Sequence, residues 1–311
     1  MIKPPHISVM PNEVINAVRD CATVVDATFG MGGHSRLILE ANEECVVYGI
    51  DQDPVAQKHA EDLKRDFPKR FVFIGGNFSQ MRTRLLALDV QNVDAVLMDV
   101  GVSSVQLDEA VRGFSFSHDG PLDMRMSGSG LSAEDVVNDY SPEDLSRIIR
   151  RLGEENLARK ITQNIIRHRD QARITRTGKL ADIIREVKQR RGARIDPATK
   201  TFQAIRMHVN AELESLESGL EAAEMMLNHN GVLCVLSFHS LEDRIVKRFL
   251  QARIEQSQGS RHLPPQELPA PSFKLMHRGV LRADADEVSH NPRSRSAKLR
   301  VAQKLSREGV L

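Results

Sequence analysis

The chain has 311 residues, 41% apolar and 27% charged, with 43 Lys+Arg against 42 Asp+Glu. This balance excludes a disordered chain, and the length suits one large domain or two modest ones, each able to bury a core. No run approaches the roughly 18 apolar residues of a membrane span, the start Met1-Ile-Lys-Pro-Pro-His6 has no signal-like apolar stretch, and Cys21, Cys45 and Cys234 form no Cys-x-x-Cys pair, so the expected setting is a reducing cytoplasm with no zinc knuckle and no disulfide framework.

Residues 23–104 alternate between strand and helix patterns. Strands are predicted at 23–26, 45–50, 71–74 and 93–98, and helices at 34–41, 54–66 and 79–88. Asp53 followed by Pro54 is a helix start. Such alternation implies a parallel sheet with right-handed crossovers. It then stops. Residues 101–130, rich in Gly, Ser and Asp, read as loop. Helices are predicted at 132–137, 141–151, 154–169 and 177–190, two of them opened by the capping boxes Ser132-Ala-Glu-Asp135 and Ser141-Pro-Glu-Asp144. A long amphipathic helix is predicted over 201–228, closed near Asn230-Gly231. A strand over 232–238 follows, then a helix over 240–254 opened by the box Ser240-Leu-Glu-Asp243. After a Pro-rich stretch (Pro264, Pro265, Pro269, Pro271), short strands near 273–276 and 299–302 finish the sheet. The resulting expectation is a doubly wound α/β domain, residues 1–104 and 203–311, carrying an all-helical insertion over 105–202. An insertion launched from a strand's carboxyl end would overhang the ligand crevice of such a sheet.

Charge is segregated. Residues 1–104 hold 10 basic and 14 acidic side chains, whereas residues 147–200 hold 16 basic and 6 acidic ones. This stretch, with Arg147, Arg150, Arg151, Arg167, Arg169, Arg173, Arg176, Arg190, Arg191 and Arg194, is read as a polyanion-binding face, and the tail cations Arg293, Arg295, Lys298 and Arg300 as a second. With no Trp, 11 Phe and 2 Tyr, a broad stacking platform is not expected.

Five strand ends carry candidate chemistry. Asp26-Ala-Thr-Phe-Gly30-Met-Gly32-Gly33-His34 sets three glycines between a strand and a helix, where a ligand can approach bare backbone. Its spacing departs from the nicotinamide Gly-x-Gly-x-x-Gly fingerprint, and it lacks a Walker lysine. Asp51 ends the second strand, where a carboxylate can accept the hydroxyls of an adenosine ribose. Phe78, in Gly75-Gly-Asn-Phe78, either flanks an adenine or anchors the next helix. Asp99-Val-Gly-Val-Ser-Ser-Val-Gln106 leaves the fourth strand, where a transferred group meets its acceptor. His239, in Ser237-Phe-His-Ser-Leu-Glu-Asp243, is either a general base or a cap for the following helix. Of the two readings the cap is favoured.

Taken together, the motifs resemble the bacterial small-subunit ribosomal RNA cytosine N4-methyltransferases. The resemblance rests on His6-Ile-Ser-Val9, the Asp26–Ser35 turn, Asp99-Val-Gly-Val-Ser-Ser104, Arg112-Gly-Phe-Ser-Phe116, Asp119-Gly-Pro-Leu-Asp-Met-Arg-Met126, Thr201-Phe-Gln-Ala-Ile-Arg206, Ser237–Lys247 and Asn291-Pro-Arg-Ser-Arg-Ser296. It implies a Rossmann-like class I methyltransferase sheet, S-adenosyl-L-methionine as donor, and a cytosine in the decoding centre of the small ribosomal subunit as acceptor. It implies cofactor contacts at Gly32, Gly33, His34, Asp51, Phe78, Asp99 and Gln106. A catalytic role for Asp99, or for backbone carbonyls beside it, in supplying one acceptor for the amine hydrogens is added on chemical grounds. No metal, membrane or DNA is expected; the oligomeric state, homodimer included, is left open. The alternatives are a DNA amino-methyltransferase, whose Pro-Pro-aromatic motif is missing, and a non-catalytic assembly factor.

Overall fold

The computed structural model describes residues 8–188, 196–254 and 270–306, with Ser104 as backbone only. His6 of the first motif, Arg190, Arg191 and Arg194 of the basic stretch, and Pro264, Pro265 and Pro269 lie outside the described residues. The chain divides into two compact units, Met1–Gly101 with Leu213–Leu311, and Val102–Glu212.

The first unit opens with α1 (Pro11–Val18). It then alternates through β1 (Thr23–Asp26), α2 (Gly33–Ala41), β2 (Val46–Asp51), α3 (Pro54–Asp66), β3 (Phe71–Gly75), α4 (Met81–Leu86) and β4 (Val93–Asp99). After the second unit, α11 (Glu212–Met226) leads into β5 (Leu227–Ser237), α12 (Ser240–Gln251), β6 (Phe273–Leu275), α13 (Ala285–His290) and β7 (Lys298–Lys304). The seven strands form one sheet in the order β3-β2-β1-β4-β5-β7-β6. The first five run parallel, and β7 is antiparallel to both β5 and β6. The expected doubly wound α/β sheet is therefore present. Both faces of a parallel sheet are buried. Alternate residues go to opposite cores: Val24, Leu97 and Cys234 to the α1–α2–α3 side, Val25, Met98 and Val235 to the α11–α12 side. Strand order reverses between β1 and β4, and the crevice of such sheets lies there, beyond the carboxyl ends. Three strands end there in aspartates: Asp26, Asp51 and Asp99.

The second unit holds α5 (Ser104–Asp108), α6 (Ala133–Asp139), α7 (Pro142–Leu152), α8 (Ala158–Arg169), α9 (Thr177–Val187) and α10 (Thr199–Val209) around a core that includes Ile149, Ile161, Ile165, Leu180, Ile184 and Ile205. Ser132 and Ser141 cap α6 and α7 as their sequences predict.

The long helix expected over 201–228 is instead two. Ala211 adopts a left-handed φ of 46°. The Asn210 side chain accepts from Met126 N at 2.8 Å and donates to the carbonyls of Met124 and Arg206 at 2.8 and 2.9 Å. Apolar periodicity continues across the break, which these bonds and the Arg206–Glu212 ion pair at 2.8 Å accompany. The second unit spans Val102–Glu212, against the 105–202 expected for the insertion. Asn230-Gly231 does not close a helix. It lies within β5, where the pairing with β4 shifts register. Sequence patterns also missed α1, α5 and α13, short elements held by their neighbours.

Candidate active site

The turn after β1 is built around two aspartates. Asp26 is buried; its Oδ2 accepts from Ser35 Oγ at 2.7 Å, bracing the first turn of α2. Burial holds its carboxyl above the usual range. Asp51 Oδ2 accepts from Gly30 N at 2.7 Å, and Oδ1 from Asp53 N at 2.8 Å. Each oxygen thus keeps one lone pair, the number a ribose diol needs. Burial pushes the Asp51 carboxyl up to about 6. Between these anchors Gly32 has a φ of 75°, and a Cβ there would lie 2.6 Å from the Phe29 ring. Gly32 also precedes α2 without a side-chain cap, so the first backbone N–H groups of α2, from Gly33 onward, donate to no cap side chain.

Phe78 starts a short turn after β3. Asn77 caps that turn through Ser79 N and also donates to Gln52 Oε1 and Ser215 Oγ, each at 3.1 Å. The half-buried Phe78 ring lies against Gly219 of α11, where a Cβ would approach its edge to 2.5 Å. Its core-anchoring role is therefore real.

Asp99 donates its N–H to Thr28 Oγ1 at 2.6 Å, which ties β4 to the glycine turn. Its Oδ2 stands 3.6 Å from His34 Nε2, beyond a hydrogen bond. Both His34 ring nitrogens and Asp99 Oδ1 are buried without a partner among the described residues. Burial opposes charge on His34, but Asp99, Asp26 and Glu287 outweigh it and raise its basicity. Glu287 accepts from the backbone N of the buried Met10 at 2.7 Å. Asp51, Asp99 and His34 thus converge on the carboxyl ends of β1, β2 and β4. Gln106 belongs to the second unit. There it completes a capping box with Ser103, its Oε1 accepting from Ser103 N at 2.9 Å.

His239 is engaged as a cap. Its Nδ1 accepts from Glu242 N at 3.4 Å, so the box is His239/Glu242, one residue before the expected Ser240/Asp243. Nε2 lies 2.8 Å from Glu242 Oε1, off the ring N–H axis. Buried Glu242 accepts from the N–H groups of Phe238 and His239. Asp243 instead binds Lys298 and Arg300 at 3.0 and 2.8 Å. Two of the expected phosphate-binding tail cations are therefore consumed inside the first unit, and they lower the Asp243 carboxyl.

The basic stretch is corrected in the same way. Arg173 meets Glu134, Asp135 and Asp139; Arg176 meets Asp119; Arg167 meets Glu186; Arg147 meets Asp144. Arg169 donates to the Val137 carbonyl. Arg150 and Arg151 at the end of α7, with Arg159 and Lys160 at the start of α8, are exposed and form no ion pair among the described residues.

The string Asp119–Met126 has a structural account. Asp119 accepts from Gly178 N at the start of α9. Arg125 grips Asp123 at 2.6 and 3.0 Å. Buried Met124 holds a left-handed φ of 62°, flanked by the Asn210 bonds. Asn77, Ser215, Gly219, Glu242 and Glu287 were not read as site residues; of these only Gly219, an isolated glycine inside a helical pattern, carries a sequence signal.

Among the described residues no group of three or more His, Cys, Asp or Glu is placed to hold a metal ion, and no helix is long and apolar enough to cross a membrane. The three cysteines are buried, with thiols raised by burial.

Comparison with known proteins extends the picture. Residues 3–305 match the model of the MraW methylase family. A ribosomal RNA small subunit methyltransferase H from Paramagnetospirillum magneticum is 49% identical over 303 residues, 96% of this chain and 95% of that one. Its counterparts from Parvibaculum lavamentivorans and Bradyrhizobium diazoefficiens are each 47% identical, over 96% and 98% of this chain and 89% and 93% of theirs. The chain belongs to the MraW methylase family.

Proposed function

We propose that the protein uses S-adenosyl-L-methionine to methylate the exocyclic N4 of a cytosine in the decoding centre of small-subunit ribosomal RNA, acting in the cytoplasm. The observation that carries the reading is the set of unsatisfied polar atoms of His34 and Asp99 beside the Asp51 cradle. The cradle suits the donor. Asp51 offers one lone pair per oxygen to the ribose hydroxyls, Phe78 lends a ring face to the adenine, and the Gly32–Gly33 backbone at the uncapped start of α2 receives the carboxylate of the methionine part. Bound there, the sulfonium supplies an activated methyl with an excellent leaving group.

The residues must overcome the weak nucleophilicity of N4, whose lone pair is delocalised into the ring. Holding N4 in line accounts for roughly 7–11 kcal/mol in well-oriented systems. Asp99 Oδ1, buried and without a partner among the described residues, accepts an amine hydrogen and localises the lone pair on nitrogen. His239, engaged in its cap, takes no part in proton transfer.

On the substrate side, Arg150, Arg151, Arg159 and Lys160 grip RNA phosphates, recognition relies on shape and backbone, and one base is extruded for reaction. Complementation tests the reading. In a bacterial strain deleted for its own N4-methyltransferase, this chain restores one N4-methylcytidine in small-subunit RNA; RNA that stays unmodified while the protein is expressed and folded counts against it.

A further inference from the structure

The middle of α11 contains a residue that helix physics disfavours. Gly219 is buried in the helix interior, where alanine is the better helix former, so the glycine answers to something outside the helix. That something is the Phe78 ring. A Cβ on Gly219 would lie 2.5 and 2.7 Å from its Cδ2 and Cε2, closer than side chains pack, while Met98 at 3.5 Å is in ordinary contact. One helical turn earlier, at i−4 and so on the same face, Ser215 accepts from Asn77 Nδ2 at 3.1 Å. Asn77 in turn caps the turn that begins at Phe78 and reaches Gln52, the neighbour of Asp51. One face of α11 therefore seats both Asn77 and Phe78 against the carboxyl ends of β2 and β3.

We infer that Gly219 and Ser215 are positioning residues for the adenosine half of the cofactor, acting through Phe78 and Asn77; this rests on the reading of Phe78 as a cofactor contact. Gly219 lets the ring sit flush on α11 and so sets the width of the adenine slot. Ser215 fixes the backbone that carries the ring.

Calorimetric binding of S-adenosylhomocysteine to the full-length protein tests the inference, with melting temperature measured alongside. Gly219→Ala is expected to weaken binding at least fivefold, raise the donor KM in step, and leave kcat at saturating donor within about twofold. A purely structural role would lower the melting temperature and leave affinity alone. Ser215→Ala gives a smaller loss of the same kind and carries the test if Gly219→Ala does not fold. Phe78→Leu removes the ring edge that the added methyl would strike, so introducing Gly219→Ala in that background has no further effect on affinity. Unchanged affinity in Gly219→Ala and Ser215→Ala, or equal losses from Gly219→Ala in both backgrounds, overturns the inference. Wild-type affinity in Phe78→Leu alone overturns instead the placement of Phe78 in the cofactor site.

Discussion

The His34 imidazole, at the start of α2, stands 3.6 Å from the Asp99 carboxylate that ends β4, and each side chain keeps a buried polar atom unpartnered among the described residues. Buried polar atoms without partners are destabilising and infrequent. The three such atoms of His34 and Asp99 lie together, which suits a polar ligand at this strand end. Replacing Asp99 by Asn keeps the shape and removes the anionic acceptor. At saturating donor, kcat is expected to fall by about 10²-fold; wild-type turnover in single-turnover assays would remove Asp99 from the chemistry.

Asp99 also supports charge on His34, whose basicity is raised. A raised histidine contributes stability that is present below its unfolded pKa, near 6.5, and is lost as pH rises through the folded value. Asp99→Ala removes that support. The stability gap between wild type and Asp99→Ala, read from urea unfolding, is therefore wider at pH 6 than at pH 9. A gap that does not change with pH contradicts the pairing.

Asp51 gives a second pH signature. Its carboxyl is raised to about 6 by burial, so the folded protein resists ionising it, and acid fills a lone pair needed by the ribose. Affinity for S-adenosylhomocysteine is expected to be flat above pH 7 and to fall as pH drops through 6, approaching tenfold per unit. Asp51→Asn should bind weakly with that acid limb gone. An acid limb that survives the substitution assigns it elsewhere.

His239 separates capping from proton transfer. Asn is a good cap, so His239→Asn is expected to retain turnover within about threefold and an unchanged pH–rate profile. His239→Ala loses roughly 1 kcal/mol of stability, the usual worth of a cap. Loss of a titrating limb in His239→Asn would restore the general-base alternative.

Arg173 and the Arg150/Arg151/Arg159/Lys160 group make opposite predictions. Replacing those four by alanine should weaken RNA binding and flatten the slope of log K against log salt by about 0.7–0.9 for each phosphate no longer neutralised. Arg173→Ala leaves Glu134, Asp135 and Asp139 facing one another. It should lower the melting temperature of the second unit and leave the salt slope unchanged.

The alternation over residues 23–99 was readable because its strands are short apolar runs, three of them closed by an aspartate, and because Asp53-Pro54 marks a helix start through local chemistry. What stayed hidden was tertiary. The apolar periodicity that unites residues 201–228 does not reveal that Asn210 bonds the backbone at Met124 and Met126, more than eighty residues away. The count of basic residues over 147–200 says nothing of Glu134 and Asp139, which neutralise Arg173 from across the unit. Asn230-Gly231 is a turn signal that a strand irregularity serves equally well. At the site, Asp51 and Asp99 were legible as strand-ending carboxylates. Glu242 and Ser215 were not, because their partners are backbone and side-chain groups that only the fold brings near.

The most direct test of the central claim is transfer of a tritiated methyl group from S-adenosylmethionine to assembled small subunits, naked small-subunit RNA and duplex DNA, with nucleoside analysis of each product. Label recovered as N4-methylcytidine from the subunits or their RNA is the predicted result. Label confined to DNA, or absent from all three while S-adenosylhomocysteine still binds, would contradict it.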